Sequence, residues 1–529
     1  MSLAYLANTG WMFSCRSALK EFDRSTRDVA ATQRAILTNV LSSNARSDFG
    51  RKHHFDSLRA TAEFRSSVSL GTYQSHAPWI DRIAAGEHGV LTSDPVQLLQ
   101  PTSGSSGARK LIPYTDSLRR QFQSGIDAWI ANLFSKRPNL RKGRSYWSIT
   151  PSMDDQRTEA GLKIGFDDDS QYLGWLGRIA ARYALAVQSS MINGVRVEDT
   201  LRTTVLELLS ARDMTLVSVW SPTYLLSLLR MLQEEKTWLL KNLRLDARNV
   251  STCSVQRILE SSASVGEKAK LLWPDLSLIS CWTDGPSVGF AGRLRDLLPD
   301  VEIQPKGLIS TEAFVSFPLV DHEPSALSVR SHFYEFIPLD DDTTDCTYLA
   351  HELDRDRQYR VVVTTGGGLY RYQTGDIISV EGFYNECPLI RFIGRGGSVS
   401  DLVGEKLSDD FVAQAINNTM QSLKLNPSFA YIVPINGEPP AYCMRVDLQE
   451  DRRIDSEILR KTMESELSKN PYYDHAVRVG QLRPLEVSLS DLSGPSHWEL
   501  YQSKRLRDGV RRGDIKPISL DTQIDTQHR

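Results

Sequence analysis

Apolar positions at helical spacing open the chain, with Ala18, Leu19, Phe22, Val29, Ile36, Leu37 and Val40 recurring among charges between residues 15 and 45. This predicts an amphipathic helical entry. Apolar runs at Val96-Gln97-Leu98-Leu99 and Leu111-Ile112-Pro113-Tyr114 read as strands around a polar loop, and Ser117 to Leu133 reads as a helix. Alternation continues with strands at Ser145–Thr150, Leu216–Trp220 and Leu276–Trp282. Ser221 as N-cap and Pro222 at the first helical position start a leucine-rich helix reaching about Leu240, and another helix is expected near Gly292–Leu298. From about Leu327 short β-rich runs take over: Phe333–Ile337, Thr347–Ala350, Tyr359–Thr364, Ile377–Val380 and Leu389–Ile393, a twisted antiparallel sheet or partial barrel. Gly394-Arg395-Gly396-Gly397-Ser398 is a natural hinge. Beyond it come helix Asp409–Leu423, strands Phe429–Val433 and Tyr442–Val446, helix Ser456–Leu467 and strand Val477–Leu482, with a frayed tail from Thr522. The fold class is α/β: a large multi-layer N-terminal domain with α/β sheets plus a β-rich subdomain (1–395), and a small mobile α+β C-terminal domain (396–529).

Composition narrows the function classes. At 529 residues, 40% hydrophobic, 24% charged and with a formal net charge of −3, the chain is a multidomain globular protein with no basic excess for a nucleic-acid partner. Its partner is expected to be small. Six scattered cysteines at 15, 253, 281, 346, 387 and 443 form neither a zinc pattern nor a disulfide framework and read as reduced, mostly buried thiols. No run reaches the ~18 apolar residues of a membrane span. The opening Met1-Ser2-Leu3-Ala4-Tyr5-Leu6 lacks a basic leader region, so a cytoplasmic location without a membrane partner is expected.

Three stretches carry chemistry. Pro101-Thr102-Ser103-Gly104-Ser105-Ser106-Gly107-Ala108-Arg109-Lys110 gathers hydroxyls, glycines and cations between two strands, the means of cradling phosphate, although its spacing is not the Walker pattern. Lys306-Gly307-Leu308-Ile309-Ser310-Thr311-Glu312 ends an apolar run in hydroxyls and a carboxylate; the alternatives are a helix cap or a phosphate and magnesium contact. Thr364 to Asp376 sets Gly366-Gly367-Gly368 beside Tyr370, Arg371 and Asp376, where the aspartate is either a plain turn residue or a ribose acceptor. The Asp-rich run Asp167-Asp168-Asp169 lacks the positions of a calcium loop and reads as a solvated loop. Gly285-Pro286-Ser287-Val288-Gly289 satisfies the nucleophile-elbow pattern, a remote serine-hydrolase alternative in which Asp321 with His322 or His351 would complete a triad.

The joint order of Pro101–Tyr114, Lys306–Glu312, His332-Phe333-Tyr334-Glu335-Phe336-Ile337-Pro338, Tyr370–Asp376 and Phe392–Lys406 resembles the auxin-responsive Gretchen Hagen acyl-acid amido synthetases, bacterial branch, within the adenylate-forming superfamily. The resemblance implies a ligase that adenylates a carboxylic acid with ATP and Mg²⁺, then transfers the acyl group to an amine, usually an amino acid. The alternative acceptors are coenzyme A or a carrier protein. It places Ser105, Ser106 and Lys110 on the phosphates, Thr311 and Glu312 on α-phosphate and magnesium, and Asp376 on ribose, with Ser103, Gly104, Gly107, Ser310 and Tyr370 also among the ATP-binding residues. Arg395 would sit at the hinge; Lys406 and Lys516 would reach phosphates or the acyl carboxylate, and Trp282 and Gly285 would line the acyl pocket. Departures at Gly366-Gly367-Gly368 and Ala313 bear on the acyl substrate rather than on adenylation.

Overall fold

The computed structural model describes residues 2–102, 110–148, 156–166, 182–188, 199–243, 250–340, 346–396, 399–448, 454–490, 494–508, 510, 512–523 and 525. The chain forms two compact units: one of residues 1–282, 297–374 and 379–391, the other of residues 283–296, 375–378 and 392–529.

In the first unit the helical entry is two helices, Leu3–Ser25 and Val29–Asn44, each capped by a side chain, Ser2 accepting from the Tyr5 amide and Asp28 from the Ala31 amide. A four-stranded sheet, ordered Arg144–Trp147, Met214–Ser218, Leu278–Cys281, Glu302–Pro305, has every neighbouring pair parallel. Met214–Ser218 and Leu278–Cys281 are buried at every position, as strands covered on both faces must be. Ser221 caps the helix Pro222–Glu234, which stops at Glu235 and restarts as Lys236–Asn242, so the single helix to Leu240 is two. Strands Val96–Pro101 and Leu111–Thr115 pair antiparallel, and Lys163–Ile164 adds to the first in parallel.

The β-rich run is a seven-stranded sheet, ordered Tyr348–Leu349, Phe333–Pro338, Gln358–Thr364, Tyr372–Tyr384, Cys387–Arg395, Ser325–Leu327, Ser316–Phe317. Phe333–Pro338 is buried at all six positions.

In the second unit Phe429–Ile435 pairs antiparallel with Ala441–Asp447, which runs parallel to Glu486–Leu489. Helices Asp409–Ser422 and Ser456–Leu467 cover this sheet, with Val412, Ile416, Leu459 and Met463 in its core beside Ile432 and Met444. The expected strand Val477–Leu482 is absent. Asn470 accepts from the Tyr472 and Tyr473 amides and Pro471 takes the first helical position, so the helix Pro471–Arg478 forms there and the third strand comes at Glu486. All six cysteines are free thiols, four of them buried.

Candidate active site

The two strands around the hydroxyl-rich loop close on each other through the Thr102 amide, which donates to the Lys110 carbonyl at 2.9 Å. Ser103, Gly104, Ser105, Ser106 and Gly107 lie outside the described residues. Lys110, at the loop's exit, holds its ammonium 5.9 Å from the Tyr73 ring centre, and the Tyr73 hydroxyl accepts from the Leu111 amide at 3.0 Å. Thr115 then starts the helix Asp116–Lys136, accepting from the Leu118 amide at 3.1 Å and donating to the Gly366 carbonyl at 3.0 Å.

Ser310 to Ala313 is a tight turn and not the start of a helix. The Ser310 amide donates to the Ala313 carbonyl at 3.0 Å, the Ser310 hydroxyl accepts from the Ala313 amide at 3.3 Å, and Ile309 bridges Phe314. Thr311 and Glu312 occupy the central positions; Glu312 is only 2% exposed. Gly307 admits no side chain, because its φ is +78° and a Cβ would stand 2.3 Å from the Ser316 carbonyl oxygen. Before it, the buried Lys306 ammonium donates to the Ser218 hydroxyl at 2.6 Å and lies 5.0 Å from the Trp220 ring centre and 5.8 Å from that of Trp129. Trp282 joins this group, its ring 6.1 Å from Trp220 and its amide bonded to the Trp220 carbonyl. Trp220, Trp282 and Lys306 follow the strands Met214–Ser218, Leu278–Cys281 and Glu302–Pro305, so two indoles and a cation stand at the carboxyl ends of parallel strands, where open α/β sheets bind ligands.

The glycine turn is dictated by packing. A Cβ at Gly366, Gly367 or Gly368 would lie 2.8 Å from Ser117 Cβ, 2.9 Å from the Pro113 oxygen or 2.6 Å from Leu91 Cβ. Tyr370, expected among the ATP-binding residues, is fully buried, stacked on Phe49 at 4.7 Å, with its hydroxyl donating to the Leu91 carbonyl at 2.7 Å. Its side chain is part of a hydrophobic core cluster with Phe49, Phe55 and Leu91. Arg371, at φ +46°, forks onto Glu335 with two 3.0 Å bonds and donates to the Arg65 and Val68 carbonyls, a structural clamp.

In the second unit Asp376 and Arg395 are together, Nε 3.6 Å from Oδ1, where the Gly396 amide meets the Gly375 carbonyl at 2.6 Å. Gly285, at φ +55°, would set a Cβ 3.1 Å from the Ile393 oxygen. Lys406 is exposed at φ +48° and follows Glu405, a fully buried carboxylate that accepts from the Leu402 and Val403 amides at 2.8 Å each and from the Tyr442 hydroxyl. Lys516 is also exposed, its carbonyl accepting from the Tyr501 hydroxyl at 3.0 Å.

The residues a hydrolase would need are committed elsewhere. Asp321 pairs with Lys136 and Arg137, His322 packs edge-on against Tyr384, and His351 lies 4.0 Å from Glu352. Ser287 is buried behind Asp284, whose carbonyl its amide meets at 3.2 Å.

Sequence reasoning missed Gln121 and His332. His332 is fully buried, and desolvation pushes it down to about 3, so it is neutral. Its Nε2 accepts from the Phe314 amide and its Nδ1–H donates to Gln121 Oε1, both at 3.0 Å. His332 opened one of the quoted motifs, but nothing in the spacing signalled its partner 211 positions away.

The first unit thus holds a parallel sheet with indoles and a cation beyond its strand ends and a turn with a buried carboxylate, and the second unit is α+β. Three family models match in order: the GH3 family N-terminal domain over residues 18–303, the central domain over 325–395 and the C-terminal domain over 410–520. The chain belongs to the GH3 family. It is 25% identical over 527 residues to the indole-3-acetic acid-amido synthetase GH3.8 of Oryza sativa subsp. indica, covering 89% of this chain and 85% of that one. It is 25% identical over 447 residues to the indole-3-acetic acid-amido synthetase GH3.2 of Arabidopsis thaliana, covering 76% and 80%. Among solved structures it is similar to the GH3.15 acyl acid amido synthetase in complex with 2,4-DB, with a TM-score of 0.81, 20% identity and coverage of 97% and 94%.

Proposed function

We propose that the chain is an ATP-dependent, AMP-forming acyl-acid amido synthetase acting on a small carboxylic acid and an amine of the amino-acid class. The observation that carries the reading is the match to all three GH3 domains in a chain whose Ser310–Ala313 turn buries a single carboxylate, Glu312. In the first half-reaction a carboxylate oxygen attacks the α-phosphorus, the bond to the β-phosphate oxygen breaks, and pyrophosphate leaves. In the second the amine nitrogen attacks the acyl carbon, AMP departs, and the nitrogen loses a proton. The loop 103–107 with Lys110 binds phosphates, Ser310 and Thr311 attend the α-phosphate, and Asp376 accepts from ribose, steadied by Arg395. Lys406 and Lys516 bring positive charge to the phosphates or acyl carboxylate, while Trp282 and Gly285 shape the acyl pocket.

Glu312 suits magnesium. No three-group cluster of His, Cys, Asp and Glu occurs among the described residues, and Mg²⁺ typically takes one or two protein carboxylates and fills its shell with phosphate oxygens and water. When bound, the ion neutralises phosphate charge. The working division is an adenylation domain, 1–395, and a mobile domain, 396–529. Among the described residues no helix is long and apolar enough to cross a membrane, which is compatible with action in the cytoplasm.

The test is ATP–pyrophosphate exchange across a panel of carboxylic acids, followed by acceptor screening with amino acids, other amines and coenzyme A. Acid-dependent exchange with amide formation is expected; exchange with thioester formation alone would reassign the acceptor, and no exchange with any acid would refute the reading. Ser287→Ala should retain exchange.

A further inference from the structure

Three candidate segments of the first unit meet at one half-buried side chain, Gln121 on the helix Asp116–Lys136. Its Oε1 accepts from the Gly366 amide at 2.8 Å and from His332 Nδ1–H at 3.0 Å. His332 in turn holds the Phe314 amide at 3.0 Å, and Phe314 directly follows the Ser310–Ala313 turn. The Phe314 carbonyl is held as well, by the Tyr334 hydroxyl at 2.9 Å. Both main-chain groups at the foot of the Glu312 turn are thereby fixed from one side. The helix bearing Gln121 begins immediately after the strand Leu111–Thr115, which leaves the hydroxyl-rich loop, and its cap Thr115 binds the Gly366 carbonyl. So one chain of hydrogen bonds, Gly366–Gln121–His332–Phe314, ties the exit of the phosphate loop to the carboxylate turn.

Polarity runs one way along this chain. An imidazole that accepts at Nε2 must be the Nδ1–H tautomer, and only that tautomer can donate to Gln121 Oε1 while receiving the Phe314 amide. A protonated ring would lose the Phe314 bond. The neutral state demanded by burial is therefore also the one that the connection requires.

We propose that His332 and Gln121 are positioning residues that hold the Ser310–Ala313 turn so that Glu312 meets a magnesium ion carried by the nucleotide. Both act through the main chain at Phe314. This inference rests on the reading of Glu312 as the magnesium carboxylate. Partners behind a metal ligand typically contribute 10- to 100-fold to metal affinity.

Two substitutions split the two ends of the ring. His332→Gln places an amide oxygen where Nε2 stood and keeps the Phe314 bond; His332→Asn places an amide nitrogen near Nδ1, keeps the Gln121 bond and abandons Phe314. The probe is α,β-methylene-ATP, titrated calorimetrically into the full chain with and without Mg²⁺, with Glu312→Gln in parallel. His332→Asn and Glu312→Gln are each expected to lose about tenfold or more of the gain in affinity that Mg²⁺ confers, with magnesium-free affinity kept at the wild-type value in His332→Asn. The double variant should be no worse than Glu312→Gln, and His332→Gln should stay within about twofold of wild type. Equal losses in the two His332 variants would mean that the histidine is packing alone and would overturn the proposal. Loss in Glu312→Gln with none in His332→Asn would overturn it too, leaving the role of Glu312 intact. No loss in Glu312→Gln would remove the reading of Glu312 and this inference together. If His332→Asn does not fold, Gln121→Leu, which frees the same ring from its anchor, carries the comparison.

Discussion

Asp376 and Asp127 show how differently two partly or fully buried carboxylates are used. Asp376, the proposed ribose acceptor, is 5% exposed, with Arg395 Nε 3.6 Å from its Oδ1. Asp376→Ala should therefore raise the KM for ATP at least tenfold while the thermal midpoint changes little, since bonds to a charged acceptor contribute roughly 1.5–3 kcal/mol each. Unaltered ATP kinetics in the folded variant would take Asp376 out of the site. Asp127, on the helix Asp116–Lys136, has Cys15 for a donor at 3.4 Å, and desolvation raises its carboxyl to about 6. A carboxyl whose folded value lies above its unfolded one, near 4, binds its proton more tightly in the native state. Its contribution to stability is full below pH 4 and is lost as pH rises through 6. Asp127→Asn, neutral throughout, should match wild type near pH 4 and exceed it above pH 6 by roughly 1–3 kcal/mol, read from urea unfolding at the two pH values. A constant difference between the proteins would place the effect in packing instead. Residues of this kind separate by how far the sequence announces them: Asp376 stood in a motif, whereas Asp127 and His332 depend on neighbours more than a hundred positions away.

Elements with local signals were legible and those fixed by distant partners were not. Ser221-Pro222 and the apolar repeat of 456–467 carried their own start signals, and the helices begin there. The strand expected at Val477–Leu482 lost to the Asn470-Pro471 cap, and the Ser-Thr-Glu at 310 became a turn because Phe314 is clamped by His332 and Tyr334. The Gly366–Gly368 turn, a departure expected to bear on the acyl substrate, also packs too closely for side chains, against Ser117, Pro113 and Leu91. Gly368→Ala, at φ +91° and 2.6 Å from Leu91 Cβ, should cost about 1–3 kcal/mol in denaturant unfolding. The opposite is expected at the loop 401–406. Lys406 is exposed in the left-handed region, held there by the bonds of Glu405, so Lys406→Gly relieves the backbone while removing the charge. Its unfolding midpoint should equal or exceed that of wild type while adenylation falls at least tenfold. Undiminished adenylation would show that this lysine is only a surface group.

At the scale of the whole molecule, the two proposed half-reactions ask one site to admit first ATP and then an amine, and the expected hinge at 394–398 is the place where a change between them can be tested. The GH3 central-domain match ends at residue 395 and the C-terminal match begins at 410. Gly396 is tied to the Gly375 carbonyl at 2.6 Å, and an added Cβ would find its nearest neighbour in the tip of Ile377 at 3.2 Å, a contact that a small shift of that side chain relieves. Glycines absorb the large dihedral changes that domain rotation needs. Replacing Gly396 by alanine restricts φ and ψ without deleting the amide that Gly375 receives, and replacing it by proline does both. If rotation here separates adenylation from acyl transfer, single-turnover rates of the two steps should fall by unequal factors in both variants, more in the proline variant. Equal factors would assign the effect to the Gly375 contact, and wild-type rates for both steps in the folded proline variant would sink rotation about this segment as part of the mechanism.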